Sequence, residues 1–201
     1  MSSLFIASDG LPRCHWTGGA PEFVAYHDNE WGYPVNDDIR LFEKVCLESF
    51  QSGLSWRTIL AKRDNFRTAF AHFDFNKVSE FTAEDVEALL QNSGIVRHRG
   101  KIEAVINNAK RAQELVKKEG SLAAFFWRYE PKPLAVNQAQ ILTTSEQSIA
   151  LSKELKKRGW KFVGPTTMFA LMQAMGLIND HVENCICRAK VEEQRQKFKR
   201  P

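Results

Sequence analysis

The chain has 201 residues, 43% of them apolar, and carries 28 lysines and arginines against 24 aspartates and glutamates. That is enough apolar material for a sizeable core, which excludes a disordered chain and a disulfide-stapled mini-protein, and no apolar run is long enough to span a membrane. The opening MSSLFIASDGLP has no basic residue before its short apolar run and does not read as a secretory signal, so a cytoplasmic protein with reduced thiols is expected.

Charge is unevenly spread. Residues 1–56 hold 3 basic and 8 acidic side chains, residues 57–130 hold 13 and 10, and residues 131–201 hold 12 and 6. A basic C-terminal half admits a phosphate-bearing partner and equally admits a solvated helical surface.

The periodicity is helical almost throughout. Asp37 or Asp38 caps a helix in which Leu41, Phe42, Val45, Cys46 and Phe50 recur every three or four residues. Trp56, Ile59 and Leu60 begin the next. Thr82 to Asp85 resembles a capping box ahead of Val86, Leu89 and Leu90, and Ile102, Val105, Ile106, Ala109 and Ala112 form another stripe. Ser121 opens a short aromatic helix with Phe125, Phe126 and Trp127. Ser145 leads into Ile149, Leu151 and Leu155, which Gly159 stops, and Pro165 starts a helix that Gly176 ends. Residues 130–144 read as the longest connection, and the charged stretch 191–201 as a frayed tail or exposed helix end. With no alternating β-branched run, no repeat and no low-complexity segment, the expectation is an all-α fold in a single unit spanning 1–201.

Four cysteines and five histidines deserve separate reading. His181 and Cys185 are one helical turn apart, and with Cys14 and His27 they compose a Cys₂His₂ set, the chemistry of a closed structural zinc site. The spacing alone equally admits a capping histidine with small buried thiols, and Cys187 is a rival ligand. A metal held this way would fasten the N-terminal arm to the C-terminal segment, a constraint worth on the order of 5 kcal/mol by loop-closure entropy. Cys46 reads as core, and His72 and His98 have no partner pattern.

On the helix from Asp37 to Gln51, Leu41, Val45 and Glu48 share one face. A carboxylate in an apolar stripe either reaches out at its edge or has a purpose that offsets its burial. Aromatics surround it in sequence: Phe23, Tyr26 and Trp31 upstream, Trp56 eight residues on. An acid among flat rings suits a cationic or electron-poor ring, though aromatics also simply fill cores.

Several strings then coincide: Tyr26-His27-Asp28-Asn29-Glu30-Trp31-Gly32, Leu47-Glu48 with Gln51-Ser52-Gly53-Leu54-Ser55-Trp56, Ile95 to Lys101, Lys156 to Gly164, and Asn179-Asp180-His181 with Cys185. Together, from about Cys14 to Cys187, they resemble the DNA-3-methyladenine glycosylase I family. The resemblance implies a helix-hairpin-helix glycosylase fold, a structural zinc ion on Cys14, His27, His181 and Cys185, and a base pocket with Glu48 as its acid and Tyr26, Trp56 and Trp31 as its aromatics. Phe23 stands where a tyrosine is expected, keeping a stacking face and losing a hydroxyl, and Ser49 and Phe50 also depart from the pattern after the acid.

The implied activity is hydrolytic removal of 3-methyladenine from alkylated double-stranded DNA by a monomer. No lysine follows Gly164, where Pro165, Thr166 and Thr167 stand, so no strand cleavage is expected. Backbone N–H groups at the Gly159–Gly164 hairpin, with Lys161, Gly164 and Thr166 nearby, would meet a phosphate, and Leu54, after Gly53, would fill the vacated stack. Asp180 ranks behind Glu48 as a support for the sugar cation. Two other classes stand beside this one: a non-catalytic zinc-stabilised DNA-binding module, which gives no reason for Glu48 on an apolar face, and a metal-dependent hydrolase, which would keep one ligand position open.

Overall fold

The structure, a computed structural model, describes residues 4–133 and 139–201. Residues 134–138, the middle of the expected long connection, lie outside the described residues. Among the described residues, eleven α-helices follow a short N-terminal hairpin: α1 (Pro21–Asn29), α2 (Asp38–Gln51), α3 (Trp56–Ala61), α4 (Arg63–Ala69), α5 (Phe75–Val78), α6 (Ala83–Gln91), α7 (Arg99–Glu119), α8 (Leu122–Trp127), α9 (Glu146–Lys157), α10 (Pro165–Ala174) and α11 (Ile186–Lys197). The chain is thus mainly helical. None of these helices is long and apolar enough to cross a membrane.

The starts of these helices follow local chemistry. Asp37 accepts from the Arg40 N–H, Ser55 from Thr58, Ser121 from Ala124, and Ser145 from Ser148. Thr82 and Asp85 form a reciprocal capping box. His98, without a role in the sequence pattern, caps α7 by accepting from the Lys101 N–H.

Two expectations are corrected. The N-terminus carries an antiparallel hairpin, β1 (Leu4–Ile6) paired with β2 (Pro12–Cys14), so the fold is not purely helical. Three-residue strands are too short to show a period of two in sequence. The C-terminal stretch takes the second of its two readings, a helix end, but not a wholly exposed one: α11 continues to Lys197, buries Val191 and Arg195, and sets Arg195 against Glu130.

One apolar core runs through the molecule, from Leu41, Val45 and Phe50 of α2 to Phe66, Phe70, Ile102, Leu155 and Met172. Phe50 is fully buried against Phe66 at 4.6 Å. Two glycines permit close approaches that position the site. A Cβ on Gly32 would stand 2.7 Å from the His181 ring, and one on Gly176 would stand 2.5 Å from the backbone of Tyr33 and Pro34; both adopt positive φ.

Candidate active site and metal cluster

Helix α2 delivers Glu48 to the floor of a cavity of about 350 Å³, within the roughly 300–1,000 Å³ usual for small-molecule sites. Trp16, Phe23, Tyr26, Trp31 and Trp56 line it, with Gln51, Gln140 and Gln173 as polar neighbours. Glu48 is 6% exposed. One of its oxygens pairs with the Lys44 ammonium at 2.8 Å, and the other takes no hydrogen bond among the described residues. Lys44, one turn earlier, also donates to the Tyr26 hydroxyl at 2.7 Å and lies 3.6 Å from the centre of the Trp56 ring. Burial pulls the Lys44 ammonium below the usual lysine range, against the opposing pull of Glu48, and burial beside Glu48 pushes the Tyr26 phenol well up. The Tyr26 phenol therefore keeps its proton at neutral pH.

The aromatic walls brace one another. Trp56 leans on Tyr26 at 5.4 Å, and Trp16 meets Phe23 at 5.6 Å and Trp31 at 5.3 Å, both edge-on. The buried Trp56 indole N–H has no partner among the described residues. Behind the lining residues Gln140 and Gln173, the buried Asp180 carboxylate accepts from the Gln140 backbone N–H at 2.9 Å and the Gln173 side chain at 2.6 Å. Burial raises its pKa, and its bonds hold Gln173 to the cavity wall. Asp180 is thereby committed to two wall residues.

A second cluster adjoins the first. His27, His181, Cys185 and Cys187 are all buried, with one ligand atom from each lying within 4.8 Å of the others. His27 Nδ1 contacts Asp28 at 2.7 Å, leaving Nε2 toward the Cys185 sulfur at 3.4 Å. His181 Nδ1 contacts the Asn179 side-chain oxygen at 3.0 Å, and its Nε2 is buried without a partner. Outer partners of this kind fix ring orientation around a metal. Burial and the neighbouring His27 pull the His181 pKa down to about 3, so the ring is neutral and its lone pair available. Cys185 is drawn toward the thiolate by hydrogen bonds from Cys14, Cys187 and His27, while Cys14, fully buried, is pushed up by the same partnership and by burial. Two imidazoles with converging sulfurs fit a metal ion of borderline softness.

Asp28 sits outside this cluster in a bidentate embrace with Arg13 at 2.7 to 2.9 Å. Partial burial opposes its ionisation, and Arg13 with His27 outweighs that and holds it below the usual carboxylate range. Arg13 of β2 thus clamps the N-terminal hairpin onto α1.

A third region faces outward beside the cavity. Leu54, 43% exposed at the α2–α3 corner, and Gly53 at positive φ share a depression with Glu48, Thr166, Thr167 and Ala170. The loop's preceding carbonyls, Phe50 and Ser52, accept from Lys101 at 2.8 and 2.5 Å. Helices α9 and α10 pack together around the 158–164 hairpin. Asn108 bonds both the N–H and the C=O of Lys161, Asn107 the carbonyl of Gly159, and Ser152 that of Val163. Ser49 donates to the Phe162 carbonyl at 3.0 Å and so ties the acid-bearing helix to this hairpin. Lys161 and Thr166 are exposed there, next to Gly164.

Residues 16–189 match the model of the methyladenine glycosylase family. The chain belongs to the methyladenine glycosylase family. It is 48% identical over 181 residues to DNA-3-methyladenine glycosylase 1 of Escherichia coli strain K12, covering 88% of this chain and 97% of that one. A crystal structure of 3-methyladenine DNA glycosylase I superposes with a TM-score of 0.81 at 48% identity, covering 87% and 98% of the two chains. A tyrosine-to-phenylalanine variant of such an enzyme, in complex with 3-methyladenine, is similar with a TM-score of 0.79 at 37% identity, covering 84% of this chain and 93% of its own.

The structure gathers Phe23, Tyr26, Trp31, Glu48 and Trp56 around one cavity, and His27, His181 and Cys185 into one cluster whose fourth member is Cys187 and not the expected Cys14, which partners Cys185 from outside it. Sequence reasoning passed over Trp16, Lys44, Gln140 and Gln173. Lys44 carried a readable signal, a basic residue one turn before an acid on an apolar face. Gln140 and Gln173 carried none, because Asp180 assembles them from distant segments.

Proposed function

We propose that this glycosylase excises 3-methyladenine from alkylated double-stranded DNA by hydrolysing the N-glycosyl bond, the opening step of base excision repair. The observation that carries the mechanism is a buried carboxylate, Glu48, on the floor of an aromatic-walled cavity with one oxygen free.

N3-methylation leaves the purine positively charged and its bond to the sugar weak, so no proton has to be delivered to the leaving base. The chain's task is to hold a flipped nucleotide. Extrusion costs a few kcal/mol, which stacking on Trp56 offsets by about 1–3 kcal/mol. Glu48 accepts from the edge of the adenine and orients it, with cation–π attraction from the rings favouring the charged base. As the C1′–N9 bond breaks, its electron pair neutralises the ring. Water then bonds to C1′ and releases a proton. Pro165, Thr166 and Thr167 directly follow Gly164, so no lysine stands at that place to attack the sugar, and the product is an abasic site in an intact strand.

DNA engagement follows the helix-hairpin-helix pattern, supported by the α9–hairpin–α10 unit: N–H groups near Gly164 with Lys161 and Thr166 hold a phosphate, and Leu54, on Gly53, enters the stack. Zinc on Cys14, His27, His181 and Cys185 supplies a cross-link between the N-terminal hairpin and the C-terminal segment. Cys14 is preferred to Cys187 because Cys187 sits at the Nδ1 edge of His27 and at Asp28, away from the Nε2 that faces Cys185.

The test is release of free 3-methyladenine from methylated duplex, with Glu48→Gln in parallel. We expect release by the parent without strand nicks before alkali, and a loss on the order of 100-fold in the variant, the scale of removing one charge-stabilising group. A fully active Glu48→Gln would overturn the assignment of the acid.

A further inference from the structure

Lys44 has no part in the mechanism above, yet its ammonium touches three members of the pocket. Its three N–H groups meet Glu48 at 2.8 Å, the Tyr26 hydroxyl at 2.7 Å and the face of Trp56, whose ring centre is 3.6 Å away. It does not line the base cavity. It lies behind it, at a small void of about 20 Å³ that it shares with Tyr26 and Trp56. An apolar side chain would fill that space without stripping an ion of water, so packing alone does not explain a lysine that is 5% exposed.

We propose that Lys44 is the positioning residue of the base pocket: one ammonium, seated behind the cavity, holds the Glu48 carboxylate, turns the Tyr26 hydroxyl proton toward the base and covers the rear face of Trp56. The inference rests on Glu48 being the acid that recognises the base. With one Glu48 oxygen committed, the other is the one presented. Because Tyr26 accepts from Lys44, its own proton is available to a ring nitrogen. Because a cation occupies one side of Trp56, the base takes the other. The remaining charged groups around the void are the Glu30–Arg63 and Glu43–Arg67 pairs and Arg40, and none of them bonds to Glu48.

A double-mutant cycle tests this, with affinity for free 3-methyladenine measured by calorimetry and single-turnover excision measured on methylated duplex. Lys44→Met should weaken binding and slow excision about tenfold or more in the parent, but less than about threefold in a Glu48→Gln background. Lys44→Arg should recover part of the loss. A purely structural lysine would lower Tm in both backgrounds and leave affinity per folded molecule unchanged, which overturns the proposal, as does an equal loss in both. A Glu48→Gln variant as active as the parent would instead sink the underlying reading. Should Lys44→Met not fold, the parent reports directly: a slowly exchanging lysine ammonium resonance, shifted upfield by the indole, should move on adding 3-methyladenine, and its absence overturns the proposal.

Discussion

Under the proposed mechanism, removing the Trp56 ring isolates the contribution of stacking to base binding. The indole is held before any ligand arrives, with Lys44 on one face at 3.6 Å and Tyr26 against it at 5.4 Å. A ring already fixed loses little freedom on binding, so Trp56→Ala should forfeit the upper part of the stacking range, about 2–3 kcal/mol, or roughly a 30- to 150-fold rise in the Kd for 3-methyladenine. The same change strips a cation–π partner from a buried ammonium, which costs about 2 kcal/mol of stability. Calorimetric titration with the free base, beside thermal unfolding, separates the two effects. Trp56→Phe divides them further, because it keeps a face and removes the unpartnered indole N–H. If Trp56→Ala bound the base within threefold of the parent, the face would not be the platform. If Phe lost as much as Ala, the N–H would be the group that matters.

Three further outcomes are expected. Cys14→Ser should lose the bound metal, measured by elemental analysis and by the fall of Tm, whereas Cys187→Ser should keep one ion per chain; the reverse result would move the fourth ligand. Leu54→Ala should weaken duplex binding about tenfold, as loss of an apolar wedge would, while leaving free-base affinity unchanged in calorimetry. Asn108→Ala removes both side-chain bonds to Lys161 and should cost about 1–3 kcal/mol in denaturant unfolding, with duplex affinity falling and free-base affinity retained.

What the sequence disclosed was whatever is written locally. Capping side chains at Asp37, Thr82, Ser121 and Ser145 and stops at Gly159 and Gly176 are decided within one helical turn, and they stand where the pattern placed them. Glu48 was legible because a carboxylate interrupts an apolar stripe. The N-terminal hairpin was not, since its register depends on pairing across a turn that three-residue strands barely signal. The α11 segment misled because Arg195 looks solvated in a charged run; its burial arises from Glu130, 65 positions away. Trp16 was hidden for a similar reason: only the folded arm brings it among Phe23, Tyr26, His27 and Trp31.

Helix α1 carries Tyr26 and His27 on adjacent residues, one turned to the base cavity and the other to the cysteine–histidine cluster, and Trp31 presses its ring to His181 at 4.7 Å while walling the cavity. Lesion recognition and the tether between the chain's two ends thus share a party wall. A metal held in that cluster would, on removal, register optically as a change in tryptophan emission, and a damaged base entering the cavity would in turn slow that metal's escape to a chelator.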